Sequence, residues 1–104
     1  MEFSKYRFSG RAVGFSDAIV MKHFSLTPNL YYSLCEKERL NLFSMAMIPH
    51  INLYNELNRL AEDCLYPTSS TDVEEYKIGL REGMLFVRNE EFLMNLTKPT
   101  NYWR

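Results

Sequence analysis

Thr71-Asp72-Val73-Glu74-Glu75-Tyr76-Lys77-Ile78-Gly79-Leu80-Arg81-Glu82-Gly83-Met84-Leu85-Phe86-Val87 is the stretch whose reading decides the fold class. Thr71 and Glu74 stand at capping-box spacing, with an acidic first turn and the turn-forming cluster Pro67-Thr68-Ser69-Ser70 just ahead of them. A helix is expected to start here. Val73, Tyr76, Leu80, Met84 and Val87 form one apolar stripe, and Ile78, Leu85 and Phe92 form a second on another face. Two apolar faces place the helix deep in a small bundle or turn one face toward another chain. Gly79 and Gly83 each cost about 1 kcal/mol of helix propensity against Ala, so they are either kept for close helix packing or merely tolerated.

Upstream, Thr27-Pro28 pairs an N-cap residue with Pro at the first helical position. The helix it opens is expected to run through Leu30, Tyr31 and Leu34, cross Glu36-Lys37-Glu38-Arg39, and continue as Leu40, Phe43 and Met47. Pro49 then breaks or kinks the chain. A further helix carries Leu53, Leu57, Leu60 and Cys64 at spacings of four, three and four.

Residues 1–27 hold Gly10 and Gly14 and lack a sustained helical period, so they are expected to form an arm. Within it Phe15 to Phe24 has the pattern of a strand or of a short helix opened by Ser16-Asp17. Residues 97–104 read as an extended aromatic tail. The expected fold is mainly α, a small helical bundle (28–96) with an extended N-terminal arm and a C-terminal tail.

A chain of 104 residues with 46% hydrophobic and 24% charged side chains suits one folded domain rather than a disordered segment. Aromatic residues reach 14%, enough to serve partners as well as a core. Met1 to Arg11 lacks the apolar run of a signal peptide, and no segment has the length of a membrane span, so no membrane association is expected. Cys35 and Cys64 both fall in patterns read as helical, the habit of reduced cysteines used as small apolar fillers.

The search for chemistry is mostly negative. His23, His50, Cys35 and Cys64 lack the paired spacing of a zinc site. Glu62-Asp63, Glu74-Glu75 and Glu90-Glu91 are adjacent pairs, which diverge by about 100° on a helix instead of converging on a substrate. No nucleophile elbow, phosphate-binding glycine loop or metalloprotease helix occurs. The expectation is no cofactor, no metal and no enzymatic activity.

Charge is unevenly spread. The first thirty residues carry +2 and the tail adds Lys98 and Arg104, whereas nine acidic against four basic residues give −5 between Glu56 and Glu91. Basic ends and an acidic middle suit head-to-tail association between copies, although a random surface has the same bookkeeping. Lys5, Arg7 and Arg11 among Tyr6 and Phe8 have the composition of a nucleic-acid contact, but three cations in a chain of net charge −1 argue against one.

Tyr76-Lys77-Ile78-Gly79-Leu80-Arg81-Glu82-Gly83-Met84-Leu85-Phe86-Val87 resembles the helix carrying an Arg-Glu-Gly signature in small virion-associated proteins of tailed bacteriophages. Those proteins tend to place another basic residue after the glycine, where this chain has Met84-Leu85. The resemblance implies a structural or assembly role in a virion put together in the host cytoplasm, and it carries over no catalytic residue. The leading expectation is therefore a protein that clasps copies of itself and other virion proteins through its arm, tail and last helix. Phe3, Tyr6, Phe8, Tyr102 and Trp103 are the expected anchors. The alternative is a small inhibitor or adaptor that binds one host or defence protein through the exposed face of the last helix.

Overall fold

The computed structural model describes residues 4–62, 67–88 and 96–97. These form five α-helices with no strand among them: α1 (Lys5–His23), α2 (Pro28–Ser33), α3 (Glu36–Ala46), α4 (Ile51–Leu60) and α5 (Ser70–Arg88), with a 3₁₀ turn at Ile48–His50 between α3 and α4. The fold is mainly α, a small helical bundle. Its centre is α1, which packs most extensively on α5 and then on α4 and α3.

The segment 5–23, expected as part of an arm, is a 19-residue helix and the most central element. Ser4 caps it by accepting a hydrogen bond from the Tyr6 amide at 3.2 Å. Its buried side carries Phe8, Arg11, Ala12 and Phe15, spaced as one helical face. That face was masked because Gly10, Arg11, Gly14 and Ser16 count as polar or helix-breaking in a hydropathy pattern yet all are buried. The expectation of an extended N-terminal arm is thus corrected for residues 5–23; residues 1–3 and 98–104 lie outside the described residues.

Thr27 caps α2 as expected, its hydroxyl accepting from the Leu30 amide at 3.2 Å. The single helix expected from there to Met47 is two. Leu34 and Cys35 are extended, and α3 restarts at Glu36 with the Glu38 carboxylate accepting from the Cys35 amide at 3.4 Å. Glu36-Lys37-Glu38-Arg39, read as a mid-helix crossing, is an acidic helix start that favours the N-terminal end of the dipole. Cys35 is consequently an exposed cap and not an interior filler; Cys64 lies outside the described residues. Pro49 breaks the chain within the 3₁₀ turn, and Leu57 points fully inward with Leu53 and Leu60 packed beside it.

α5 starts two residues earlier than its capping box suggested, with Ser69 in place of Thr71 as the cap. Ser69 accepts from the Asp72 amide through its hydroxyl at 3.1 Å and from the Val73 amide through its carbonyl at 3.0 Å. Its buried face is Gly79, Glu82, Gly83, Phe86 and Val87, which coincides with neither expected stripe; only Val87 belongs to one. Phe92 lies outside the described residues.

The main core joins Phe8, Ala12, Phe15, Met47, Leu57, Ala61, Phe86 and Leu96, with the Phe15 and Phe86 rings edge to face at 5.2 Å. A second cluster of Val20, Tyr31 and Ala46 holds α2 and α3 to the end of α1.

α1 ends in a Schellman motif. The Leu26 amide donates to the Met21 carbonyl at 2.8 Å and the Ser25 amide to the Lys22 carbonyl at 3.4 Å, which puts Ser25 in the left-handed region with φ of 54°. An exposed serine there carries a Cβ penalty that glycine lacks. Ser25→Gly is expected to add about 1 kcal/mol of stability, read as a higher urea unfolding midpoint at unchanged m-value.

Candidate functional site

Two glycine pairs face each other across the α1–α5 contact. A Cβ on Gly10 would strike the Tyr76 carbonyl oxygen, on Gly14 the Leu80 carbonyl oxygen, on Gly79 the Arg7 carbonyl oxygen, and on Gly83 the Arg11 carbonyl oxygen and the Phe15 nitrogen at 2.6 Å. Arg7 stands opposite Gly79 and Arg11 opposite Gly83, so the numbering rises together along both helices and they run parallel. The backbones touch, and nothing flexible can give way. Of the two readings of Gly79 and Gly83, close packing is the one observed.

Each glycine pair encloses a charge. Glu82, 1% exposed, takes a two-pronged contact from Arg7, whose Nε donates to Oε1 at 2.9 Å and whose Nη2 donates to Oε2 at 2.8 Å. Arg11, 0% exposed, donates through Nε to the same Oε1 at 2.9 Å and through Nη1 to the Leu96 carbonyl at 2.7 Å. Burial pushes the Glu82 carboxyl up, but hydrogen bonds from Arg7 and Arg11 more than offset it and hold the group below the usual carboxylate range. The hydrogen bond to Glu82 raises Arg7, whereas burial lowers Arg11, the deeper of the two. This is a structural clasp. Both guanidinium groups are engaged with Glu82, and Arg11 also pins the chain at Leu96.

A second polar group lies on the other side of α1. Asp17 accepts from the Tyr31 hydroxyl at 2.8 Å on Oδ1 and from the Tyr32 hydroxyl at 3.0 Å on Oδ2, tying α2 to α1. Burial pushes the Asp17 carboxyl up despite these donors, raises Tyr31 further above its ordinary value, and takes Tyr32 to about 12. A cleft of 380 Å³ opens beside Asp17, walled by Tyr31, Phe43 and Tyr54 and rimmed by Glu36 and Arg39.

The third feature is apolar. Leu40, Met45, Ile48 and Ile51 are 62%, 54%, 72% and 38% exposed, and the last three recur every third residue around the α3–turn–α4 corner.

The expected anchors separate. Phe8 is 7% exposed in the main core, under the Arg11 guanidinium at 5.3 Å, so it serves the fold and is withdrawn as an anchor. Tyr6 is half-buried along an 810 Å³ cleft between the starts of α1 and α5 and the end of α4. Phe3, Tyr102 and Trp103 lie outside the described residues. Sequence reasoning missed Arg11 and Glu82, although a signal existed: two Gly-x-x-x-Gly segments, each enclosing one buried charge of opposite sign. The Asp17–Tyr31–Tyr32 group has no local signature, since its members meet across the turn between α1 and α2.

Among the described residues no group of three or more His, Cys, Asp or Glu is placed to hold a metal, and no helix is long and apolar enough to cross a membrane. Comparison with protein-family models, curated proteins and solved structures gives no match.

Gly79→Ala would gain about 1 kcal/mol in an isolated helix. Here it is expected to destabilise by about 2 kcal/mol or more, because the added methyl meets the Arg7 backbone. The same readout in urea tests Glu82. Its folded pKa is depressed, so its contribution is complete above the ordinary carboxylate range and is lost as the pH falls through and below it. Wild type is expected to lose stability steeply below about pH 4.5. Glu82→Gln is expected to be weaker by about 3–5 kcal/mol at pH 7 and to show a flatter acid limb.

Proposed function

We propose that this protein is a non-enzymatic structural or assembly protein that works by binding other proteins, copies of itself first. The observation that carries this reading is the apolar corner of Leu40, Met45, Ile48 and Ile51. Together these side chains leave on the order of 400 Å² of apolar surface in water, an amount that on a monomer often serves binding. Two copies apposed there bury on the order of 800 Å² before any polar rim is counted, close to the roughly 1,000 Å² that a specific interface needs. An apolar surface of this size on each copy suits a two-fold contact.

The particular form of the role, a component of a phage-type virion assembled in the host cytoplasm, rests on the Tyr76–Val87 resemblance. Within that segment Glu82 and Gly83 hold α5 against α1, so the Arg-Glu-Gly signature has a packing reason of its own. Tyr6, Phe3 and the tail residues Tyr102 and Trp103 remain proposed secondary anchors.

Mass photometry and light scattering on the purified chain test the reading. Wild type is expected to form dimers or larger assemblies at micromolar concentration. Ile48→Asp and Met45→Asp are each expected to raise the dissociation constant at least tenfold, with the far-UV spectrum unchanged because both side chains are exposed. Deletion of residues 1–10 does not serve as a test, since it removes Arg7, Phe8 and Gly10 from the core. A wild-type chain that stays monomeric, or an Ile48→Asp protein that assembles normally, overturns the proposal.

A further inference from the structure

The cleft beside Asp17 has an unusual combination of groups. Its carboxylate is held by two neutral tyrosine hydroxyls, and among the described residues no cation approaches it within ion-pair distance. Arg39 lines the same cleft and shares its field without pairing with Asp17. The tyrosine donors use one lone pair on each oxygen, which leaves acceptor capacity facing a 380 Å³ space. The walls are the rings of Tyr31, Phe43 and Tyr54: Phe43 and Tyr54 meet at 5.0 Å and 66°, and Tyr31 is backed by Tyr32 at 5.0 Å and 76°. A partly buried carboxylate set among aromatic faces attracts a cation twice, through charge and through the ring quadrupoles.

We propose that this cleft is a docking slot for a basic side chain, and that its occupant is the C-terminal segment Thr97-Lys98-Pro99-Thr100-Asn101-Tyr102-Trp103-Arg104 of a second copy. The choice of occupant follows from charge. Residues 92–104 hold no Asp or Glu, and the segment carries Lys98 and Arg104 beside Tyr102 and Trp103. Asp17 and Glu36 against Arg39 leave the slot net negative. An Arg or Lys in contact with Asp17 replaces bulk water with a charge-assisted hydrogen bond, and neighbouring aromatic residues of the segment add apolar contact at the rim. The proposal rests on the assembly reading above and supplies it with a head-to-tail contact that adjoins the apolar corner at Leu40, which lines the cleft.

The test is a fluorescently labelled synthetic peptide of residues 97–104 titrated with the full chain at low micromolar concentration. Saturable binding is expected, weakened by added salt. Asp17→Asn, which keeps an acceptor for the tyrosines, is expected to reduce affinity about tenfold, and the rim variant Glu36→Gln to reduce it two- to threefold, both with unchanged far-UV spectra. A peptide with Ala at both basic positions is expected to lose binding.

Equal binding by Asp17→Asn and wild type overturns the slot. So does equal binding by the alanine peptide, or an absence of binding at millimolar peptide. Binding that emerges only after the chain's own Lys98 and Arg104 are replaced by Ala points to occupancy by its own tail and overturns the second-copy assignment. Particle size separates the two proposals. A chain that assembles normally while failing the peptide test loses only the slot; a chain that binds the peptide yet stays monomeric loses the assembly reading.

Discussion

Glu82 sits between Arg7 and Arg11 at a place where two helix backbones touch, and the rest of the fold is arranged around that contact. A carboxylate removed from water costs several kcal/mol unless its oxygens are fully engaged, and here three guanidinium N–H groups engage them. The arginines reach it because glycines on both helices let the backbones come together, so that a side chain from one helix lies directly against the other. The four glycines cost about 4 kcal/mol of helix propensity in all. Tight packing and the buried ion cluster offset that cost only when α1 and α5 are paired, which makes the pairing nearly all-or-none.

The consequence is a rigid parallel pair built from segments some seventy residues apart. Parallel neighbours need a long connection, and α2, α3 and α4 supply it. They wrap the far side of α1 using Asp17, Tyr31, Phe43 and Leu57, while Leu96 is held by its buried side chain and by Arg11. The polar interior is therefore committed to structure. The wrapping helices α3 and α4 turn apolar residues both inward and outward.

Much of this organisation is legible in local sequence. Thr27-Pro28 opens a helix, Pro49 ends one, Leu53, Leu57 and Leu60 mark an inward face, and the cluster before Asp72 opens α5. These signals work because capping, proline geometry and helical periodicity act over four residues or fewer. The break at Leu34 and Cys35 escaped because a charged stretch suits a helix start and a solvated helix face equally well. α1 escaped for a deeper reason: its buried face is made of glycine, arginine and serine, which a hydropathy pattern assigns to the outside. The Asp17 cleft escaped because it needs four helices to exist at all.

The sequence by itself determined that the chain is helical, that helices open near Thr27 and just after Pro67-Thr68-Ser69, that Pro49 interrupts the chain between two of them, and that His and Cys are not spaced as a zinc site. Only the tertiary structure decided which faces are buried. It turned the expected arm into the central helix, moved Phe8 from the surface to the core, made the buried stripe of α5 one of glycine and glutamate, and left Met45, Ile48 and Ile51 outside. The physical reason is that burial of a small or charged residue depends on what the facing element brings. Gly79 and Glu82 are poor interior residues alone and good ones only opposite Arg7 and Arg11.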